Sequence, residues 1–205
     1  MPQGSAKEAR RRMPEKMKRT TVVLITGHPG SGKTTLAEYL TQRLKLPLTC
    51  RDQIKETLLD TLGWATAEWT HQLSIASWAL LYQQVERLLR AGVDQIVESN
   101  FDPKYANAHW ARLMQQYTMR LLQVRCESRP EVLLARYRGR IADGTRHPGH
   151  NDQSSDVVFH DMIRQGPLDW IDVESEHLAV DTSELAIADY VDVVERVNRF
   201  IMCWE

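Results

Sequence analysis

The chain has 205 residues, of which 42% are apolar and 26% charged, with a formal net charge of −1; this is enough apolar material for one full core, and no apolar run is long enough for a membrane span. The charge is uneven: residues 1–20 carry +5, which leaves −6 on the remainder, so a basic body built to hold nucleic acid is disfavoured. Cys50, Cys126 and Cys203 are odd in number and far apart, with neither metal-ligand spacing nor a disulfide framework, and point to a reduced, cytoplasmic protein.

Residues 1–20 lack apolar periodicity and are expected to form a disordered basic tail. Thr21 to Thr26 is a β-branched run ending in a glycine loop, the pattern of a buried strand that feeds a helix. The first helix is expected over Lys33 to Leu44, and a short second strand over Pro47 to Cys50. A helix follows near Asp52, with the Asp52 side chain in position to cap it, and Gly63 breaks it. Ala67 to Ala91 reads as one long helix with Leu73, Ala76, Leu80, Val85, Leu88 and Leu89 toward the core. Val93 to Val97 is the third strand, and Pro103 opens a helix to about Tyr117. Met119 to Arg125 is the fourth strand, and Pro130 opens a helix to about Ile141. A polar loop from Asp143 to Ser155, a further helix, a strand at Leu178 to Val180 and a helix from Ala188 to Met202 complete the chain. Strands alternating with helices imply an α/β fold with a parallel sheet covered on both faces. Residues 21–205 then form one domain, with a lid at about 130–155.

Gly27-His28-Pro29-Gly30-Ser31-Gly32-Lys33-Thr34 fits G-x-x-x-x-G-K-[ST] completely, the phosphate-cradling P-loop. Its glycines let the backbone approach phosphate oxygens, and successive N–H groups at a helix N-terminus face the anion. Lys33 is expected at the β- and γ-phosphates of ATP, Thr34 on Mg²⁺ and Thr35 near the α-phosphate. The chain has no Asn-Lys-x-Asp stretch to read guanine and no apolar strand ending in Asp-Glu. Both absences favour a small kinase over a GTPase or a mechanical ATPase.

The acceptor side is expected at the same carboxyl edge of the sheet. Asp52 follows the second strand and is the candidate general base for an acceptor hydroxyl, while Arg51 and Lys55 are candidates for an anionic part of the acceptor. Glu98, Ser99 and Asn100 end the third strand; Glu98 is a candidate for Mg²⁺, and Ser99 and Asn100 for phosphate or acceptor. Arg136 and Arg140 share one helix face at i, i+4, whereas Arg138 points elsewhere; the first two suit charge developing on a transferring phosphoryl group. His147 and His150 flank Pro148-Gly149 in the following loop, where a lid role and plain loop histidines both stand. Of Trp64, Trp69 and Trp78, core packing is the default and Trp64 the best candidate for the acceptor pocket.

Taken together, Gly-His-Pro-Gly-Ser-Gly-Lys-Thr-Thr, Arg-Asp-Gln-Ile-Lys, Glu-Ser-Asn-Phe-Asp-Pro and Arg-Tyr-Arg-Gly-Arg resemble the small P-loop kinases of the zeta-toxin, chloramphenicol phosphotransferase and polynucleotide kinase group, from about Thr21 to Arg164. The resemblance implies a sheet of order 2-3-1-4-5 with a helical lid, Asp52 as general base, Lys55 as the basic residue beside the acceptor, Glu98, Ser99 and Asn100 at the end of the third strand, and Arg136 and Arg140 as lid arginines. Lys at 55, Glu at 98 and the acidic body depart from the polynucleotide kinases. The leading expectation is a kinase for a small-molecule hydroxyl, using ATP and Mg²⁺. A polynucleotide 5′-hydroxyl kinase, with nucleic acid as partner, and a non-enzymatic nucleotide-dependent switch or scaffold stay open, and the sequence leaves the oligomeric state unassigned.

Overall fold

The computed structural model describes residues 19–145, 147–150, 156–184 and 190–203. The expected tail at 1–20 lies almost wholly outside them, as does part of the expected lid loop. Five parallel strands form one sheet: β1 (Thr20–Gly27), β2 (Leu48–Cys50), β3 (Gln95–Glu98), β4 (Met119–Glu127) and β5 (Glu176–Asp181), in the order β2-β3-β1-β4-β5. The expected order is the observed one. The register sets Ile25 beside Glu98 and Gly27 beside Cys126, so the ends of β1, β3 and β4 meet at one edge.

Helices α1 (Lys33–Leu44) and α7 (Val191–Met202) cover one face. Leu36, Ala37 and Leu40 there meet Val23, Ile25, Val193, Val197 and Phe200. Helices α3 (Ala67–Ala91) and α4 (Pro103–Gln116) cover the other face, where Leu81, Val85, Trp110 and Leu113 pack on Val22, Leu24, Val97 and Leu121. A strand buried on both sides reads as a continuous apolar run, which is why Val22 to Ile25 is uninterrupted. Helix α2 (Arg51–Leu62) packs on α3. Helices α5 (Pro130–Ala142) and α6 (Asp156–Arg164) share a small separate core of Leu133, Tyr137, Phe159 and Ile163.

Two local expectations are corrected. Helix α2 starts at Arg51 with Cys50 at its N-cap and no side-chain cap bond, so Asp52 is a first-turn residue and not the cap. Leu80 is 41% exposed, and the adjacent Leu81 is fully buried instead, on one stripe with Leu73, Ser77 and Val85. Ser77 belongs to that stripe because the buried Arg51 guanidinium of α2 needs hydrogen-bond acceptors, which Ser74 and Ser77 supply.

Candidate active site

The phosphate loop is fixed by its own backbone. Ser31 N–H donates to His28 O (3.1 Å), and Leu36 N–H to Gly32 O (3.0 Å) opens α1. Gly27 has φ 150°, and a Cβ there would lie 2.5 Å from both Cys126 O and Ser31 Oγ. No other residue type fits without moving β4 or the loop. Gly32, at φ 77°, stands at the N-cap of α1 in the left-handed region.

Glu98 gathers the groups at the ends of β1, β2 and β3. It is 1% exposed. Thr34 Oγ1 donates to Glu98 Oε2 (3.2 Å) and the Cys50 thiol donates to the same oxygen (2.8 Å). Lys33 Nζ lies 3.6 Å from Oε1, an oxygen that makes no hydrogen bond among the described residues. Burial raises the Cys50 thiol well above its ordinary range, with the Glu98 carboxylate adding to the effect. A buried carboxylate with a spare oxygen beside a P-loop threonine hydroxyl suits Mg²⁺, a hard cation that takes one or two protein oxygens and completes its shell with phosphates and water. Among the described residues there is no group of three or more acidic, His or Cys side chains placed to hold a metal ion.

A cavity of about 490 Å³ opens over the loop, lined by Gly30, Lys33, Thr34, Thr35, Arg136 and Arg140, with Thr182 and Tyr190 across it. Arg136 Nη2 donates to the carbonyls of Thr182 (2.8 Å) and Ser183 (3.3 Å), and Nη1 to Gly30 O (3.4 Å) and Ser128 Oγ (3.3 Å). This arginine ties α5, the phosphate loop and the end of β5 together. Arg140, one turn on, differs: its Nε and Nη2 are buried and make no hydrogen bond among the described residues. Two buried donors without a partner, on a half-buried arginine, call for an acceptor. Arg138 points away to His160 (3.4 Å), as expected. Thr182 and Tyr190 escaped the sequence reading. Thr182 Oγ1 donates to Ser31 O (2.7 Å) across 151 residues; the only local signal was a polar residue just beyond a strand end.

On the other side of the loop, Arg51 is buried beside α3. Its Nε donates to Ser77 Oγ (3.2 Å), Nη2 to Ser74 Oγ, and Nη1 to Asp52 Oδ1 (3.3 Å). Its guanidinium lies 5.0 Å from the Trp78 ring centroid. Burial pulls this guanidinium below the ordinary arginine range, and the Asp52 carboxylate opposes that shift. Lys55 is buried one turn along α2, at 8% exposure. Ser99 is buried, and its hydroxyl donates to Asn100 Oδ1 (3.3 Å). Pro29 is half-buried, whereas His28 turns away, its Nε2 2.8 Å from Gly166 O.

Trp64 is placed apart from these groups. It is 44% exposed and sits edge-on to His147, with centroids 5.4 Å apart. His147 and His150 bring the segment after α5 onto α2: His147 Nε2 is 3.0 Å from Asp60 Oδ1, and His150 Nε2 is 2.9 Å from Glu56 Oε1. Between them, Gly149 is buried, and a Cβ there would come within 2.9 Å of Leu59 Cδ1.

The model of the AAA domain family matches residues 22–164 of the chain. A shikimate kinase of Rhodopirellula baltica is 29% identical over 168 residues, which cover 78% of this chain and 80% of that protein. Among solved structures, a candidate kinase from Chloroflexus aurantiacus superposes with a TM-score of 0.81 at 31% identity, over 88% of this chain and 97% of its own. A gluconokinase from Sinorhizobium meliloti 1021 shares the fold with a TM-score of 0.52 at 16% identity, over 91% of this chain and 95% of its own.

Proposed function

The chain belongs to the AAA domain family of small P-loop kinases, and from that premise we propose that it transfers the γ-phosphoryl group of ATP to a hydroxyl of a small molecule. The observation that carries this reading is Arg140: a guanidinium with unused buried donors faces the same cavity as Lys33, Thr34 and the loop backbone. A polyphosphate answers those donors, and charge on the transferring group is what such a set stabilises.

In this reading the loop amides and Lys33 hold the β- and γ-phosphates, with Thr35 near the α-phosphate. Mg²⁺, when bound with the nucleotide, would be held by Thr34 and Glu98 and would neutralise charge between the phosphates. Asp52 accepts the acceptor's hydroxyl proton as that oxygen bonds to phosphorus and the bond to ADP breaks. Arg51, locked by Ser74 and Ser77, orients the Asp52 carboxylate. Lys55, Ser99 and Asn100 line the acceptor side. Arg136 holds α5 against the loop so that Arg140 reaches the equatorial oxygens, and α5, α6 and the segment bearing His147 and His150 act as the lid. The buried position of Arg51 and Lys55 favours a small acceptor over nucleic acid, which needs basic groups along an open groove. The shikimate kinase relative, named for a small hydroxylated acceptor, supports the same class.

The test is transfer from γ-labelled ATP and Mg²⁺ to a panel of small alcohols and a 5′-hydroxyl oligonucleotide, with wild type and Asp52→Asn side by side. Label on a small alcohol is expected, falling by about 10²–10⁴-fold in Asp52→Asn with nucleotide binding intact. Label on the oligonucleotide alone would replace this reading with the polynucleotide one. ATP binding with no acceptor-dependent turnover on any of them would favour the switch.

A further inference from the structure

A second cavity, of about 430 Å³, lies between α3 and α4. Its walls include Ser74, Ile75, Trp78, Tyr82, Tyr105 and His109. The rings are organised: Tyr82 and His109 stack with centroids 4.2 Å apart at 14°, Trp78 lies 6.0 Å from Tyr82 at 24°, and Phe101 braces Trp78 edge-on at 5.5 Å. Small-molecule sites are of this size and character, mostly apolar and aromatic with a few placed polar groups. The volume is ample for an aromatic ring, since about 150 Å³ of apolar space suffices for benzene.

Two residues join this cavity to the acceptor side. Ser74 lines it and accepts from Arg51, and Trp78 lines it and carries the Arg51 guanidinium over its ring. Arg51 in turn holds Asp52. At the other wall, Asp102 follows Asn100 by two residues. No lysine or arginine is among the described lining residues, while Asp102 adds a carboxylate. The other titratable groups on the walls are His71 and His109, and the Arg51 guanidinium over Trp78 is already held by Asp52, so no fixed cation is left to pair with an anionic group and a neutral flat one fits.

We propose that the cavity between α3 and α4 is the distal part of the acceptor site, and that the acceptor is an alcohol bearing a neutral planar ring that rests against Trp78, between Ile75 and Tyr105. The proposal rests on the kinase reading for the word acceptor, and on the cavity alone for the ring. It moves the aromatic contribution from Trp64 to Trp78, which the sequence reading had assigned to the core by default.

The test uses the full chain with a non-hydrolysable ATP analogue, and compares 2-phenylethanol with propan-1-ol by ligand-observed NMR. Ring burial in a stacked pocket is expected to make the first at least about tenfold tighter. Ile75 is 52% exposed and Tyr105 67% exposed, so Ile75→Glu and Tyr105→Ala leave the core intact. Both are expected to remove the preference without altering the thermal shift given by the nucleotide analogue. Equal affinity of wild type for the two alcohols overturns the proposal, as does a ring preference that survives both substitutions. Ring-dependent binding lost in the variants supports the cavity. If label from ATP then reaches no alcohol, that result counts against the kinase reading alone.

Discussion

Arg136 and Arg140 stand one helical turn apart, and their surroundings assign them different work. Arg136 satisfies three backbone carbonyls. Removing it orphans them, so Arg136→Met is expected to cost about 1–3 kcal/mol of stability, read by urea unfolding. Arg140 satisfies none, so Arg140→Met should leave stability within about 0.5 kcal/mol and lower kcat by about 10²–10³-fold. If the two variants swapped phenotypes, the division between tether and catalytic group would be wrong. The cysteines divide as clearly. Burial pushes the Cys126 thiol up to about 12 and the Cys50 thiol further still, and a raised pKa favours the neutral thiol. At pH 8 only about one Cys126 in ten thousand is then a thiolate, while Cys203 is exposed. Iodoacetamide at that pH should add once to the native chain, at Cys203, and three times in urea, counted by mass spectrometry.

At the scale of elements, the segment after α5 meets α2 through His147, His150 and the close approach of Gly149 to Leu59. Gly149→Val would force overlap with Leu59, an overpacking cost of about 1–3 kcal/mol confined to that junction. Limited proteolysis near residues 143–150 should become severalfold faster and the acceptor KM should rise, with the melting temperature lowered by about 2–10 °C. Loss of the whole fold in that variant would show that the junction belongs to the core. The bounds of α1 and α3 were legible because their ends are local events: Gly32 at one N-cap, Thr66 at the other, whose hydroxyl accepts from Trp69 N–H, and Gly92 in the left-handed region at the C-cap of α3. The inward face of α3 was not. Leu80 and Leu81 fit an apolar stripe equally well in the sequence, and only the buried Arg51 on another helix explains why the stripe that holds Leu81 also holds Ser77.

For the molecule as a whole, the strand order came from the resemblance to the small P-loop kinases: a phosphate loop after β1 and polar strand ends after β2 and β3 bring those ends to one edge but leave the order of the strands open. Most of the nucleotide side was legible: the loop announces itself within nine residues and Arg136 and Arg140 by their helical spacing, whereas Thr182 and Tyr190 arrive from the far end of the chain. A ligand bound only by the folded state stabilises it by about 2.7 kcal/mol at one hundred times its Kd, which for a chain of this size is about 5–10 °C. A non-hydrolysable ATP analogue with Mg²⁺ should give that shift in wild type and none in Lys33→Ala; equal shifts in both would move the nucleotide away from the loop. The bond from Thr182 to Ser31 carries a last consequence, for synthesis on the ribosome. The loop motif emerges early, but β4 must pair with β1, and β5 with β4, before Thr182 can close over Ser31. Parallel pairings over such separations form late. A nascent chain stalled before residue 176 would thus display the whole phosphate-loop motif and still lack the wall that Thr182 and Tyr190 give its nucleotide site, so ATP acts fully as a folding ligand only for a chain that is nearly complete.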